Sequence, residues 1–127
     1  MHDQPSVAEL IQAVKNFIDE TAAPKLTGHA GFHARIASNV LATVLRDIAQ
    51  RETQEELEKD GIQSLVQAPQ EASLNDLNQL LCEQIKTGHV TLQTSGLLDH
   101  LKRTTIAQLS VDQPNYSGLK PHLPEQD

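Results

Sequence analysis

A bundle of α-helices is the fold that this sequence predicts, and three observations carry the expectation. Apolar residues recur three and four positions apart along most of the chain, which is the period of a helix with one buried face. The apolar content is mainly Leu, Ala, Val and Ile, with Phe17, Phe32 and Tyr116 as the only aromatics, and such a composition suits helices better than sheets. Helix start and stop signals also punctuate the apolar runs at plausible intervals. The chain therefore reads as one all-α domain over 1–127. A bundle of four main helices and a weaker acidic helix occupies 5–112, and a non-helical, proline-containing tail occupies 113–127.

The first helix is marked by Val7, Leu10, Ile11, Val14, Phe17 and Ile18 on one face. Ser6 and Glu9 form a capping-box pattern at its start. Ala22 and Ala23 lead into Pro24, which closes it because the residue before a proline resists helical geometry. A loop over Lys25–Gly28 leads to a second helix from about Ala30 to Arg51. Phe32, Ile36, Val40, Leu41, Val44, Leu45 and Ile48, with interspersed alanines, cover well over half its circumference. A helix apolar on most sides is usually central, so this one is expected to be the buried axis of the fold.

Thr53 and Glu56 suggest a second capping box, opening a short acidic helix that carries Glu52, Glu55, Glu56, Glu58 and Asp60 and is weakened or split at Gly61. Ala68–Ala72 reads as a linker. Ser73 begins the next helix, with Leu74, Leu77, Leu80, Leu81 and Ile85 on one side and Gly88 as its stop. The last helix follows Thr94-Ser95, carries Leu97, Leu98, Leu101, Ile106 and Leu109, and ends near Asp112. In the tail, Tyr116 is the residue expected to anchor the chain to the body.

Composition bounds the function. The formal net charge of −7 argues against general nucleic-acid binding, which needs a basic face to neutralise phosphates, and against an anionic membrane surface. No apolar stretch approaches the length of a membrane span. The single cysteine, Cys82, forms no internal disulfide, and a reducing, cytoplasmic setting follows as the expectation.

Four constellations could carry chemistry. Arg35, Asn39 and Arg46 share a face of the second helix, and two guanidinium forks beside an amide suit a carboxylate or phosphate. Three readings of this stripe stay open. It is an internal network in which Asp112, Asn115 and the Tyr116 hydroxyl are partners, or a solvated helix edge, or a ligand site. His29 and His33 have a spacing that can place two imidazoles on one metal, but two ligands do not make a site, and solvent-facing histidines are expected. Cys82 lies next to Leu81 and reads as a buried structural thiol. The acidic run Glu52–Asp60 reads as a solvated face and lacks the alternating oxygens of a calcium loop. No phosphate-cradling glycine loop or nucleophile motif is present. No catalytic residue, metal or cofactor is nominated, and a non-enzymatic role is expected.

The run Gly31-Phe32-His33-Ala34-Arg35-Ile36-Ala37-Ser38-Asn39-Val40-Leu41, followed by Arg46-Asp47, resembles the central motif of an uncharacterised bacterial helical domain family. That motif reads F-H-x-R-[VI]-A-x-N-x-L with a later R-E, and here Asp47 stands in place of Glu. Ala8-Glu9-Leu10 is similar to the family's opening. Val111-Asp112-Gln113-Pro114-Asn115-Tyr116 is similar to its closing D-N-P-x-Y, with Gln113 in place of Asn. The resemblance covers nearly the whole chain, to about Tyr116. It implies a context rather than an activity, since such domains are typically encoded beside an aminoglycoside-phosphotransferase-like kinase and an acyl-CoA dehydrogenase. A fold-level likeness transfers no catalytic residue. The motif positions coincide with the Arg35/Asn39 stripe and Tyr116, which adds weight to the internal-network reading.

Two functions are therefore expected. One is a non-catalytic accessory module that binds a protein partner, either of those two enzymes, with a homo-oligomer as a further possibility. The other is a bundle that binds an acyl or phosphorylated small molecule through Arg35, Asn39 and Arg46. A bare apolar patch speaks for the first, because monomers seldom leave large ones uncovered. A concave pocket with converging polar groups speaks for the second.

Overall fold

The computed structural model describes residues 4–124, and within them the chain is helical with no strand. Four α-helices follow in order: α1 (Val7–Phe17), α2 (Gly28–Gln63), α3 (Leu74–Thr87) and α4 (Leu97–Asp112). The chain falls into two compact units, Met1–Gln50 and Arg51–Asp127, with the boundary inside α2. No helix is long and apolar enough to cross a membrane among the described residues.

In the first unit, α1 starts on the expected capping box. The Glu9 amide donates to Ser6 Oγ at 3.2 Å, and the Ser6 amide donates to Glu9 Oε2 at 2.7 Å. These bonds satisfy two of the orphan donors at the helix start. The chain does not unwind at Phe17. It widens into a π-turn over Ile18–Ala22, closed by the Ala23 amide on the Ile18 carbonyl, and then tightens into a 3₁₀ turn over Ala23–Lys25 with Pro24 inside it. Leu26 is extended, and Gly28, at φ 59°, re-aims the chain into α2. Gly31 is buried there because the Leu26 carbonyl lies against it. A Cβ at position 31 would stand 2.9 Å from that oxygen.

The first half of α2 is not the buried axis that its composition suggests. Only Gly31 and Ser38 are buried in it, with Ala34, Leu41, Ala42 and Leu45 half-buried on the same side. Phe32, Ile36, Val40, Val44 and Ile48 are exposed. A helix apolar on most sides needs neighbours on most sides, and the first unit brings it too few to cover that surface.

The second unit holds the hydrophobic core. Ile62, Val66, Leu77, Leu81, Val90 and Leu97 form one buried cluster, and Leu65, Ala68, Ala72, Leu74 and Leu80 pack against it. The acidic segment is not a separate helix. α2 runs through Thr53 and Gly61 to Gln63 without a break. Gln54, Glu58, Gly61 and Ile62 recur at helical spacing on the side toward the core, while Glu52, Glu55, Glu56 and Asp60 are exposed. The linker after α2 is tied down by the Leu65 and Val66 amides on the Ile62 carbonyl and by Gln63 Nε2 on the Gln70 carbonyl.

Ser73 caps α3, accepting from the Asp76 amide at 3.1 Å, and Gly88 ends it in the left-handed conformation at φ 79°. Gly96, at φ 92°, is the residue that precedes α4. Thr94 instead uses its hydroxyl to accept from the Thr91 amide at 2.9 Å, closing the connecting turn. The second unit is also cross-linked by polar contacts. Asn78 Nδ2 on α3 donates to Glu58 Oε1 on α2 at 2.9 Å, and Gln54 Nε2 on α2 reaches the Ala107 carbonyl on α4 at 3.4 Å.

Residues 113–124 of the tail are non-helical apart from a 3₁₀ turn at Lys120–His122. Its anchor is Leu119, only 1% exposed, rather than Tyr116, which is 51% exposed. The Tyr116 ring lies over its own Gly118, where a Cβ would come within 2.6 Å of Cε1. An amphipathic phenol prefers a half-wet site when its hydroxyl finds no protein partner, whereas a leucine gains from complete burial.

Candidate functional site

Arg35, Asn39 and Arg46 all lie on α2 in the first unit. Arg35 and Asn39 are exposed, and Arg46 is half-buried. A local relay links two of the three. Arg46 Nη2 donates to Thr43 Oγ1 at 3.0 Å, and Thr43 Oγ1 donates to the Asn39 carbonyl at 3.2 Å. Arg46 has further interactions beyond this bond. Asp112 and Tyr116 belong to the second unit. There the Asp112 carboxylate accepts from Gln108 Nε2 at 2.6 Å, one helical turn back.

The more conspicuous feature of the first unit is apolar. On α1, Val7, Leu10, Val14 and Phe17 are all exposed, Leu10 to 53%. They follow a 3-4-3 spacing and form one narrow seam. Ile11 and Ile18, one residue further round, are half-buried. The apolar arc of α1 is therefore wider than the part its own unit covers. On α2, Phe32, Ile36, Val40, Val44 and Ile48 repeat every four residues, with Val40 exposed to 55%. Residues four apart make the ridge that helices most often interdigitate when they pack. The π-turn that follows α1 is tied to α2 by the Ser38 hydroxyl, which donates to the Asp19 carboxylate. The 2.6 Å hydrogen-bonded ion pair from Lys15 Nζ, and after it the Ser38 hydroxyl, holds the Asp19 carboxyl below the usual range.

A groove and a crevice lie among the described residues of the second unit. The groove, of about 420 Å³, runs along α4 and the tail, walled mainly by Leu98, Leu101, Ile106, Leu109 and Leu119, with Lys102 and His122 at its edge. The smaller crevice, of about 80 Å³, lies between α2 and α4, lined by Gln54, Leu57, Glu58, His100, Arg103, Thr104 and Ala107. His100 is 4% exposed, and its ring packs on Gly61. Burial pushes the imidazole below its ordinary value, the Glu58 carboxylate opposes that shift and the Arg103 guanidinium adds to it. The sequence signal for His100 is its place three residues after Leu97 on the apolar face, together with a glycine in the middle of a helix.

The remaining candidates are surface groups. His29 and His33 are exposed, and the His33 ring meets Phe32 edge-on at 5.7 Å. Cys82 is exposed rather than buried, because one step on from buried Leu81 turns it about 100° off the core face. Among the described residues no three His, Cys, Asp or Glu side chains gather as a metal site would require.

Residues 24–116 match the family model of a domain of unknown function (DUF6285). No curated protein and no solved structure matches the chain.

Proposed function

The chain belongs to this DUF6285 family, and from that premise we propose that it works as a non-catalytic accessory module that binds another protein through its first unit. The observation that carries the reading is the pair of bare apolar rows on α1 and the first half of α2. Scattered surface leucines are ordinary, but contiguous rows on two helices of one unit are the mark of an interaction surface. The partner favoured is the phosphotransferase-like kinase that the sequence resemblance associates with such chains, with the acyl-CoA dehydrogenase as the second candidate. The setting proposed is the bacterial cytoplasm, in keeping with one exposed, unbridged cysteine.

The test is co-expression of the chain with the kinase and, separately, with the dehydrogenase, followed by co-purification. A complex that survives purification and is lost with Leu10→Asp is the expected result. If neither enzyme associates and the kinase turns over identically with and without the chain, the reading fails.

A second reading is supported by the Arg35 guanidinium, which is exposed and has no hydrogen bond or ion pair among the described residues. Beside Asn39 and Arg46 it would take a phosphorylated or acyl carboxylate ligand as a bidentate fork. Chemical-shift changes confined to these residues on titration with inorganic phosphate or a short fatty carboxylate would support it. A spectrum that does not move would remove it.

A further inference from the structure

We propose that the occupant of the apolar rows is a second copy of this chain, with α1 of each copy seated on the first half of α2 of the other. The proposal rests on the reading of the first unit as a docking surface and names what docks there.

The first support is the shape of α2. Ala34, Leu41 and Leu45, all half-buried, face one way around the helix, and the exposed Ile36, Val40 and Val44 face the other. A helix apolar on two opposite sides belongs at the centre of an assembly. In the first unit it is covered on one side only. Two copies of α1 and two of α2 supply the helices of a four-helix bundle, the smallest arrangement in which such helices bury their faces on each other.

Charge chooses the occupant and its orientation. Over residues 7–22, which hold α1 and its π-turn, Glu9, Asp19 and Glu20 stand against Lys15, a net of −2. Over residues 28–50, the α2 part of the unit, Arg35 and Arg46 stand against Asp47, a net of +1, with His29 and His33 also exposed. Packing α1 on its own copy sets like charge on like. Packing α1 on α2 of the other copy sets opposite charges together, and a two-fold axis makes that favourable contact twice. The rest of the chain steers the same way. Residues 1–50 carry a net of −1, and residues 51–127 carry −6. A second copy can approach through the near-neutral first unit without the repulsion that the acidic unit imposes. The chain thus holds both apolar rows and both signs of charge in one unit.

The test begins with the purified full chain alone, by light scattering and sedimentation over a wide concentration range. The expected mass is twice the 14.0 kDa of one chain. Val40→Asp and Leu10→Asp should each raise the dissociation constant at least about tenfold. Circular dichroism on both variants checks that the helices persist. Arg35→Glu should also weaken the dimer, and Lys86→Glu, on α3 in the other unit, should not. Cross-linking then reads the pairing itself in a Cys82→Ser background. A Leu10→Cys chain mixed with a Val40→Cys chain should form an intermolecular disulfide that neither variant forms alone.

A chain that is monomeric at every concentration overturns the proposal, as does Leu10→Cys cross-linking to itself in preference to Val40→Cys. If the monomeric chain still captures the kinase and loses it with Leu10→Asp, the second copy is excluded while the docking reading stands. If the chain is a dimer that binds neither enzyme, the second-copy proposal is supported and those enzymes are excluded as partners.

Discussion

Gly61 and His100 show how one small residue and one polar residue depend on each other. A glycine inside a helix costs about 1 kcal/mol relative to alanine, so Gly61→Ala on an exposed surface would stabilise α2. Here a Cβ would press on His100 Nδ1, closer than real contacts allow, and the ring is nearly fully buried. The clash outweighs the propensity, and Gly61→Ala should destabilise the protein by about 1–3 kcal/mol in urea denaturation. His100 itself gives a pH prediction. Its folded-state value is depressed from 6.5 by burial, so around and below that pH the unfolded chain binds the extra proton more readily. The stability that neutral His100 contributes is present above about pH 6.5 and is lost as pH falls through the lower folded-state value. Melting temperature should therefore drop with acidification over that window, and His100→Gln should flatten that part of the profile. An unchanged profile would mean that the imidazole is not desolvated as the packing requires.

Two helices illustrate why local signals succeed or fail. Ser6 and Ser73 are true caps, since each side chain accepts from the amide three residues on. Thr53 carries the same pattern with Glu56 but lies in the interior of α2. A cap that is used costs about 1 kcal/mol when replaced by alanine. Ser73→Ala should therefore destabilise the second unit by that amount, and Thr53→Ala should be neutral or slightly stabilising through helix propensity. Hydrogen exchange across residues 51–56 would separate the cases, because a helix that restarts at Thr53 would exchange quickly there. In the tail, burial assigns the anchor. Leu119 shares a groove wall with Leu98, Leu101, Ile106 and Leu109 of α4. Leu119→Ala should cost about 2–4 kcal/mol, and Tyr116→Ala should stay within about 0.5 kcal/mol, since the ring is half-exposed and rests on its own loop.

The two units divide the molecule's properties. The second carries the buried cluster and most of the negative charge, while the first carries bare aliphatic and aromatic rows with almost no net charge. A folded unit with so little of its apolar surface hidden gains stability from whatever covers it. Binding that occurs only in the folded state raises stability with concentration by mass action. The melting temperature of the wild-type chain should therefore rise with protein concentration, and that of Val40→Asp should not. A melting temperature independent of concentration in both would show that the rows are not covered by self-association.

The helical class, the α1 capping box, the Ser73 start and the Gly88 stop of α3 were determined by sequence alone. Each rests on interactions within a few residues, and local spacing encodes them directly. The likeness to an uncharacterised domain family was legible as well, and the family model matches residues 24–116. What tertiary structure decided is whatever depends on residues far apart. It carried α2 through Thr53 and Gly61, because Gly61 packs on His100 of α4. It buried Leu119 instead of Tyr116 and turned Cys82 outward. It also left α2 half bare where its composition promised burial. Periodicity records how many sides of a helix are apolar, but not whether the residues that cover them lie in the same chain.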